Sequence, residues 1–350
     1  MPSVRYSRRG VVVKRGGTAA SETQIRKLQR DLRQLGYLRN GIDGRFGSVT
    51  ELAVKALQHD LLHNDARSIK NDGDAPVRVL DYNRGRILEV TGIVDQQLAG
   101  CILDMLGDAL FPKLPKSDNP KEENGRIISV MRDMRSPNVP IPFIMAILQQ
   151  ESGLKHYHEP SKNDEDAYIL LGLDTNASQR HIITSRGYGA GQYTLFHHPP
   201  KQEEVEDFML DVGKNLQKVT RELREKFDHF LNGDTSGTKA DDRIAEYGNG
   251  PLRLCKYPMG DPQQMRRCRQ CMADAGQHDI KEGLTPLYKG SAYRLVPTQY
   301  YKTATYDSVP VRKNIGCDWP YAARRYNGAG MNSYHYQAKV LKNLTGAFIP

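Results

Sequence analysis

Apolar residues along this chain recur mainly at the three- and four-residue spacing of helices, in short blocks separated by Gly-, Asp- and Pro-rich stretches. Ser21-Glu-Thr-Gln24 has the form of a capping box, and Ile25, Leu28, Leu32 and Leu35 then give one apolar face that ends at Gly36. A Gly- and Asp-rich loop, Asn40 to Gly47, leads into a second helix from about Ser48 with Leu52, Ala53, Ala56 and Leu57 apolar. Residues 63–90 are polar apart from short alternating stretches at Val77–Leu80 and Ile87–Val90, which predicts an inserted loop or hairpin. A third helix is expected from Asp95 to Leu106. The Pro-rich, non-periodic stretch from Phe111 to Pro120 then reads as an interdomain linker over 111–121.

Beyond it the pattern predicts helices at 123–135, 141–152, about 203–231 and about Trp319–Leu344, the last broken near Gly328–Gly330. Residues 232–318 are irregular, with Tyr-rich stretches at 293–306 that could be strands. The fold class is therefore mainly α with a minor β element. Its expected order is a basic disordered arm (1–20), a small helical bundle (21–110), a linker, and an α-rich domain (122–350) interrupted at about 232–318.

Composition changes this picture little. With 350 residues, 38% hydrophobic and 26% charged, the chain is globular, and its net charge of +9 favours a polyanionic partner. Lys and Arg are scattered among Asp and Glu without a basic helix or basic–aromatic interleaving, which argues against nucleic acid. No apolar run reaches the roughly 20 residues of a membrane-spanning helix. The five cysteines, Cys101, Cys255, Cys268, Cys271 and Cys317, are too few and too irregular for a disulfide scaffold. Unpaired thiols, one or two disulfides, or zinc on Cys268-x-x-Cys271 remain open.

The most informative segment is Pro140 to Gly153. Ile144, Ile147 and Leu148 form an apolar stripe, and Glu151 follows on the same face at helical spacing. A carboxyl group at the end of an apolar stripe is expected to be desolvated and to hold its proton, as a general acid requires. Taken alone, a Glu at a helix end is more often a surface residue or cap. Downstream stand a Gly-rich run, Gly187-Tyr-Gly189-Ala-Gly191-Gln192-Tyr193, and Tyr326-Asn327-Gly328.

Two resemblances follow from these residues. Leu28-Gln29, Leu35-Gly36-Tyr37, Ile42-Asp43-Gly44, Phe46-Gly47, Leu57-Gln58 and Gly92-Ile93-Val94-Asp95 are similar to the three-helix peptidoglycan-binding domain. That resemblance implies a wall-binding surface involving Tyr37, Asp43, Gly44 and Asp95, although Asp43-Gly44 and Asp95 serve equally well as helix-entry turns. Glu151-Ser152-Gly153, the run ending at Gln192, and Tyr326-Asn327-Gly328 resemble three motifs of lytic transglycosylases and goose-type lysozymes, with Asn215-Leu216 and Tyr336 with Val340 as supporting positions. The second motif departs from the family pattern in lacking the usual Leu-Met.

The second resemblance implies cleavage of the glycosidic bond between N-acetylmuramic acid and N-acetylglucosamine. Glu151 would be acid and then base, Tyr326 its orienting phenol, and Gln192 a residue of the cleft floor. Ser152, Gly189, Gly191, Tyr193, Asn327 and Gly328 would line the substrate. A competing third motif lies at Tyr247-Gly-Asn. Where goose-type enzymes place an Asp, this chain reads Tyr193-Thr194, which points to the transglycosylase outcome over hydrolysis. A second carboxylate, among Asp164, Asp166 and Asp174, lies in what reads as a solvated loop.

No metal or cofactor is needed, and the expected partner is bacterial peptidoglycan, met by a monomer without membrane insertion. The alternative of another class is a noncatalytic wall-binding component of a phage tail or secretion apparatus. The basic start has only Val11–Val13 where a secretory signal carries a longer apolar core. Release through a phage membrane pore or delivery by a secretion machine, with action in the periplasm or wall, is therefore expected.

Overall fold

The computed structural model describes residues 6, 10–17, 20–39, 41–70, 73–134, 141–161 and 166–227, two short strands at 287–288 and 291–292, and residues 323, 326, 327, 336, 339, 340 and 343. The protein is mainly α with a small antiparallel sheet. Helices run over Glu22–Gln34 (α1), Ser48–His63 (α2), Gln96–Gly107 (α3), Pro120–Asp133 (α4), Ile141–Ser152 (α5), Gln202–Glu204 (α6) and Val212–Phe227 (α7). Strands span Leu171–Thr175 (β1), Ile183–Tyr188 (β2) and Tyr193–Leu195 (β3). Among the described residues no helix is long and apolar enough to cross a membrane.

The chain divides into two compact units, one of residues 1–129 and 155–216 and the other of 130–154 and 217–350. In the first, α1 begins with the expected capping box: Ser21 accepts from the Gln24 amide and Gln24 accepts from the Ser21 amide. It ends where Gly36 takes φ +82° and the Tyr37 amide returns to the Leu32 carbonyl. Leu28, Leu32, Val54, Leu57, Leu98 and Ile102 are fully buried in one core between α1, α2 and α3. Asp95 caps α3 by accepting from the Leu98 amide at 2.9 Å.

Two sequence expectations are corrected in this unit and a third is narrowed. The arm is packed at the residues described: Tyr6 is buried with its hydroxyl on Asp31, 2.8 Å away, and Val13 pairs with Val94. Of the two alternatives for the insertion, its described residues form the loop, with a 3-10 turn at Val79–Tyr82 and with Val79, Tyr82 and Ile87 buried in the core. The Pro-rich stretch is not a free linker. Phe111 and Leu114 are buried, Leu114 donates to the Gln34 carbonyl, Ser117 donates to the Ala167 carbonyl, and the Pro115 carbonyl accepts from Ile169. Buried apolar side chains and satisfied backbone groups hold 111–117 in place.

The minor β element includes a three-stranded sheet at a place the sequence reading did not foresee. β1 pairs with β2 (Leu171↔Tyr188) and β2 with β3 (Tyr188↔Tyr193), all antiparallel. Asp174 therefore lies on a strand, where it accepts from Ser185, and Asp166 is buried and paired with Arg30 at 3.1 Å, so neither belongs to a solvated loop. The helix expected over 203–231 is interrupted. α6 passes into a wider, π-type turn over Val205–Met209, and α7 starts afresh after Asp211, whose carboxylate accepts from the Gly213 and Lys214 amides. The Tyr-rich stretches at 293–306 lie outside the described residues, as do Asp164, Tyr247, Gly328 and every cysteine except the buried, free Cys101.

In the second unit, Phe143, Ile144, Ile147 and Leu148 of α5 are buried, as are Val219 and Leu223 of α7. Ala323, Tyr336 and Val340 are helical and buried too. The Asn343 amide donates to the Ala146 carbonyl at 3.2 Å, and Thr220 to the Met134 sulfur at 3.4 Å.

Candidate functional site

Within the second unit, Glu151 is the penultimate residue of α5. The helix stops just beyond it because Gly153 and Leu154 both take positive φ (+66° and +60°). Ser152 donates to the Leu148 carbonyl at 3.0 Å, so its hydroxyl braces the last helical turn. Glu151 is half-buried, and the Tyr336 hydroxyl donates to its Oε1 at 2.5 Å. Burial above all, then the neighbouring Glu151 charge, lifts the Tyr336 phenol well above the usual tyrosine range, and Tyr326 and Glu222 act in the same direction. Tyr336, a position the sequence offered only as support, thus holds the carboxyl group. Tyr326 is half-buried and Asn327 exposed.

The Gly-rich run belongs to the first unit and forms the β2–β3 turn. Gly189 takes φ +72° and Gln192 φ +54°; the Gln192 amide and side-chain Nε2 both donate to the Gly189 carbonyl, at 3.2 and 2.8 Å. A Cβ at Gly172 would come within 2.1 Å of Gln192 Oε1, so the side chain is seated against the face of the sheet. Gln192 therefore locks the turn. Tyr193 opens β3 with its ring 5.0 Å from that of Phe208.

His156 holds the same turn from behind. Its Nδ1 accepts from the Ala190 amide at 3.1 Å, and its Nε2 lies 3.0 Å from the Met209 carbonyl, a pair of partners that only the Nε2–H tautomer satisfies. Burial pushes the imidazole down to about 4. Asn215 completes the clamp, accepting from the Gly191 amide at 3.2 Å and donating to the Tyr188 carbonyl at 3.1 Å. Asn215 was expected at this place from the motif order, whereas His156 was missed. The sequence signal available was its closeness to Glu151.

The helical module is built on two glutamines. Gln29 of α1 accepts from the Gly44 amide at 2.9 Å and donates to Asp43 at 2.8 Å and to the Arg45 carbonyl at 3.0 Å. Gln58 of α2 accepts from the Thr91 and Gly92 amides at 3.0 and 2.7 Å, and donates to Thr91 Oγ1 and the Ile93 carbonyl. Each thus pins a glycine of nearly equal φ, +75° at Gly44 and +76° at Gly92. Asp43 also accepts from the Arg45 amide, so Asp43, Gly44 and Asp95 all serve helix-entry turns.

Tyr37 is a core residue. Its ring is buried, and its hydroxyl donates to Asp60 at 2.9 Å. Arg186 of β2 joins that pair, 3.2 Å from Asp60 and 3.1 Å from the Gly36 carbonyl, with His198 edge-on to Tyr37 at 5.0 Å. Burial pushes the Asp60 carboxyl up, but His59 and the Arg186 guanidinium overcome this and hold it below the usual range.

Residues 21–61 match the family model described as a putative peptidoglycan binding domain. The match covers α1, the Asp43-Gly44 turn and α2 as far as Leu61, and it points to association with the bacterial cell wall. Comparison with curated proteins and with solved structures finds no match.

Proposed function

We propose that the protein cleaves peptidoglycan, with the module around residues 21–61 holding the wall and Glu151 acting as the acid in the second unit. The reaction is cleavage of the bond between N-acetylmuramic acid and N-acetylglucosamine. The observation that carries this reading is the Tyr336 hydroxyl on Glu151 Oε1, at the end of the apolar stripe of α5. A phenol donating to one carboxyl oxygen orients the group that is to transfer the proton.

In the step proposed, the protonated Glu151 carboxyl gives its proton to the bridging oxygen as the bond from that oxygen to C1 of the muramic acid breaks. The resulting carboxylate then removes a proton from the same sugar's 6-hydroxyl as its oxygen bonds to C1, closing a 1,6-anhydro ring. Glu151 ends the cycle protonated. The resemblance of Glu151-Ser152 and Tyr326-Asn327 to lytic transglycosylase motifs supports this course, as does Tyr193-Thr194 in place of a second acid. The protein would act in the periplasm or wall, which it reaches through a lysis pore or a secretion machine.

Digestion of purified peptidoglycan by wild type and Glu151→Gln, followed by mass spectrometry of the fragments, tests the proposal. Anhydro-ended fragments from the wild type alone are expected. Reducing ends would assign hydrolysis instead. Equal release by both proteins would remove Glu151 from the chemistry and leave a wall-binding protein.

A further inference from the structure

A second group of buried polar side chains stands in the first unit, where the helical module meets the strands, and plays no part in the chemistry proposed for Glu151. At its centre is His198, only 3% exposed, with its ring edge-on to Tyr37 at 5.0 Å and to Phe111 at 6.0 Å. The ring packs so closely on the turn after α1 that a Cβ at Gly36 would lie 3.0 Å from its Cε1. The Asn64 side chain, just past α2, donates to the His198 carbonyl at 3.0 Å. Among the described residues, neither ring nitrogen of His198 makes a hydrogen bond.

The charged and titratable groups about the ring come from each element packed on it. Arg186 comes from β2. Asp60 comes from α2, bonded to Arg186 at 3.2 Å and to the Tyr37 hydroxyl at 2.9 Å, with His59 Nδ1 3.7 Å from its other oxygen. His197 precedes the ring in the chain and has its Nε2 2.8 Å from Glu204. The Leu35 carbonyl bears on the ring from the end of α1. With a neutral ring, one buried guanidinium is set against one buried carboxylate. A protonated ring would set two buried cations against that same carboxylate.

We propose that His198 is an acid-sensitive latch: its neutral ring closes β2 and the segment after β3 onto the helical module, and protonation opens that junction. Burial above all, then the Arg186 charge, holds the imidazole well below its ordinary 6.5; His197 acts the same way, while Asp60 and the Leu35 carbonyl oppose the shift. The open form therefore takes up the proton first as pH falls. Closure is complete above 6.5 and is lost as pH drops from there towards the value of the buried ring. For a ring that titrates at its ordinary value once open, the open population grows about 30-fold between pH 7.5 and pH 5. Tyr37 and Asp60 lie within residues 21–61, so opening reaches the module that matches the peptidoglycan-binding family.

The test is hydrogen exchange by mass spectrometry on the full chain at pH 7.5 and pH 5, corrected for the intrinsic pH dependence of exchange, in wild type, His198→Leu and His198→Gln. Leucine is close to the ring in volume and the ring nitrogens make no hydrogen bonds, so His198→Leu should keep the junction protected at pH 7.5. Glutamine is the second replacement that cannot titrate. Between the two pH values, opening of segments 34–38, 57–64 and 184–199 should grow about 30-fold more in the wild type than in either variant. The response owed to His156 is common to all three proteins and cancels. Independently of any variant, NMR of 13C-histidine-labelled wild type should show the His198 ring still neutral at pH 5.5 in the folded chain. An equal acid response in all three proteins, or a folded-state His198 ring that charges at its ordinary value, would overturn the proposal.

Discussion

Replacing Gly189 by alanine probes the clamp on the Gly-rich turn directly. The residue holds φ +72°, and a Cβ there would come within 2.4 and 2.5 Å of two atoms of the His156 ring and 2.9 Å of Asn215 Nδ2. Neither neighbour can retreat cheaply. The ring is bound on both nitrogens, and Asn215 is bound on both ends of its amide. The left-handed backbone alone costs an alanine about 1–2 kcal/mol. Forcing the ring and amide aside adds about 1–3 kcal/mol, the range for inserting a methyl group into a packed core.

Gly85 supplies the control. It has φ +74° in the same unit, and its Cβ would meet nothing within 4 Å. Gly85→Ala should therefore show the backbone cost alone. Urea denaturation of wild type, Gly85→Ala and Gly189→Ala separates the two contributions, and Gly189→Ala should exceed Gly85→Ala by about 1–3 kcal/mol. Equal losses in the two variants would refute the clamp.

Three further outcomes are expected. His156 titrates at about 4 when folded against 6.5 otherwise. The unfolded chain therefore takes up the proton first as pH falls. The stability that neutral His156 contributes is complete above 6.5 and is lost between 6.5 and 4, by about 3 kcal/mol at the lower end. Denaturant titrations at pH 7 and pH 4 of wild type and His156→Asn should show the variant with the shallower dependence. Tyr336→Phe should lower turnover of peptidoglycan about 10- to 100-fold, as expected for a hydrogen bond to an ionisable group worth about 1.5–3 kcal/mol, and should leave retention on insoluble wall unchanged. Gln58→Ala removes four hydrogen bonds to one turn and should cost about 2–4 kcal/mol in thermal or urea unfolding, with weaker wall retention.

The helices were legible because their periodicity and their caps agree. Ser21, Gly36, Asp95 and Gly153 each stand where a boundary needs a cap or a left-handed residue, and the structure places the ends of α1, the start of α3 and the end of α5 at them. The sheet was not legible, although Ile169-Leu-Leu171 and Ile182-Ile-Thr184 are apolar, β-branched runs of strand type. Their flanking polar residues, Asp166 and Asp174, gave the appearance of a solvated loop, and only tertiary partners, Arg30 and Ser185, account for them.

The carboxyl group of Glu151 was found from the apolar stripe before it. Tyr336, which donates to it, was offered only as a supporting position, because motif spelling says nothing about which side chain of a helix turns inward. His156 was missed, and the two glutamines were read as motif positions without a role, for a related reason. Each acts through backbone groups, and those leave no trace in residue types.

Arg186 has a consequence for how this protein could be dissected. Its guanidinium is buried against Asp60 and the Gly36 carbonyl, both contributed by the helical module, while the arginine itself comes from β2, some 80 residues beyond the third helix of that module. A fragment ending near residue 110 would strand Asp60 in the interior without its guanidinium, a loss of the order of 3–5 kcal/mol for a severed buried pair. What looks in one dimension like a detachable adaptor is, in three, welded to the strands that follow it. Grafting residues 21–110 onto another enzyme should therefore yield an unstable anchor unless the hairpin bearing Arg186 travels with it.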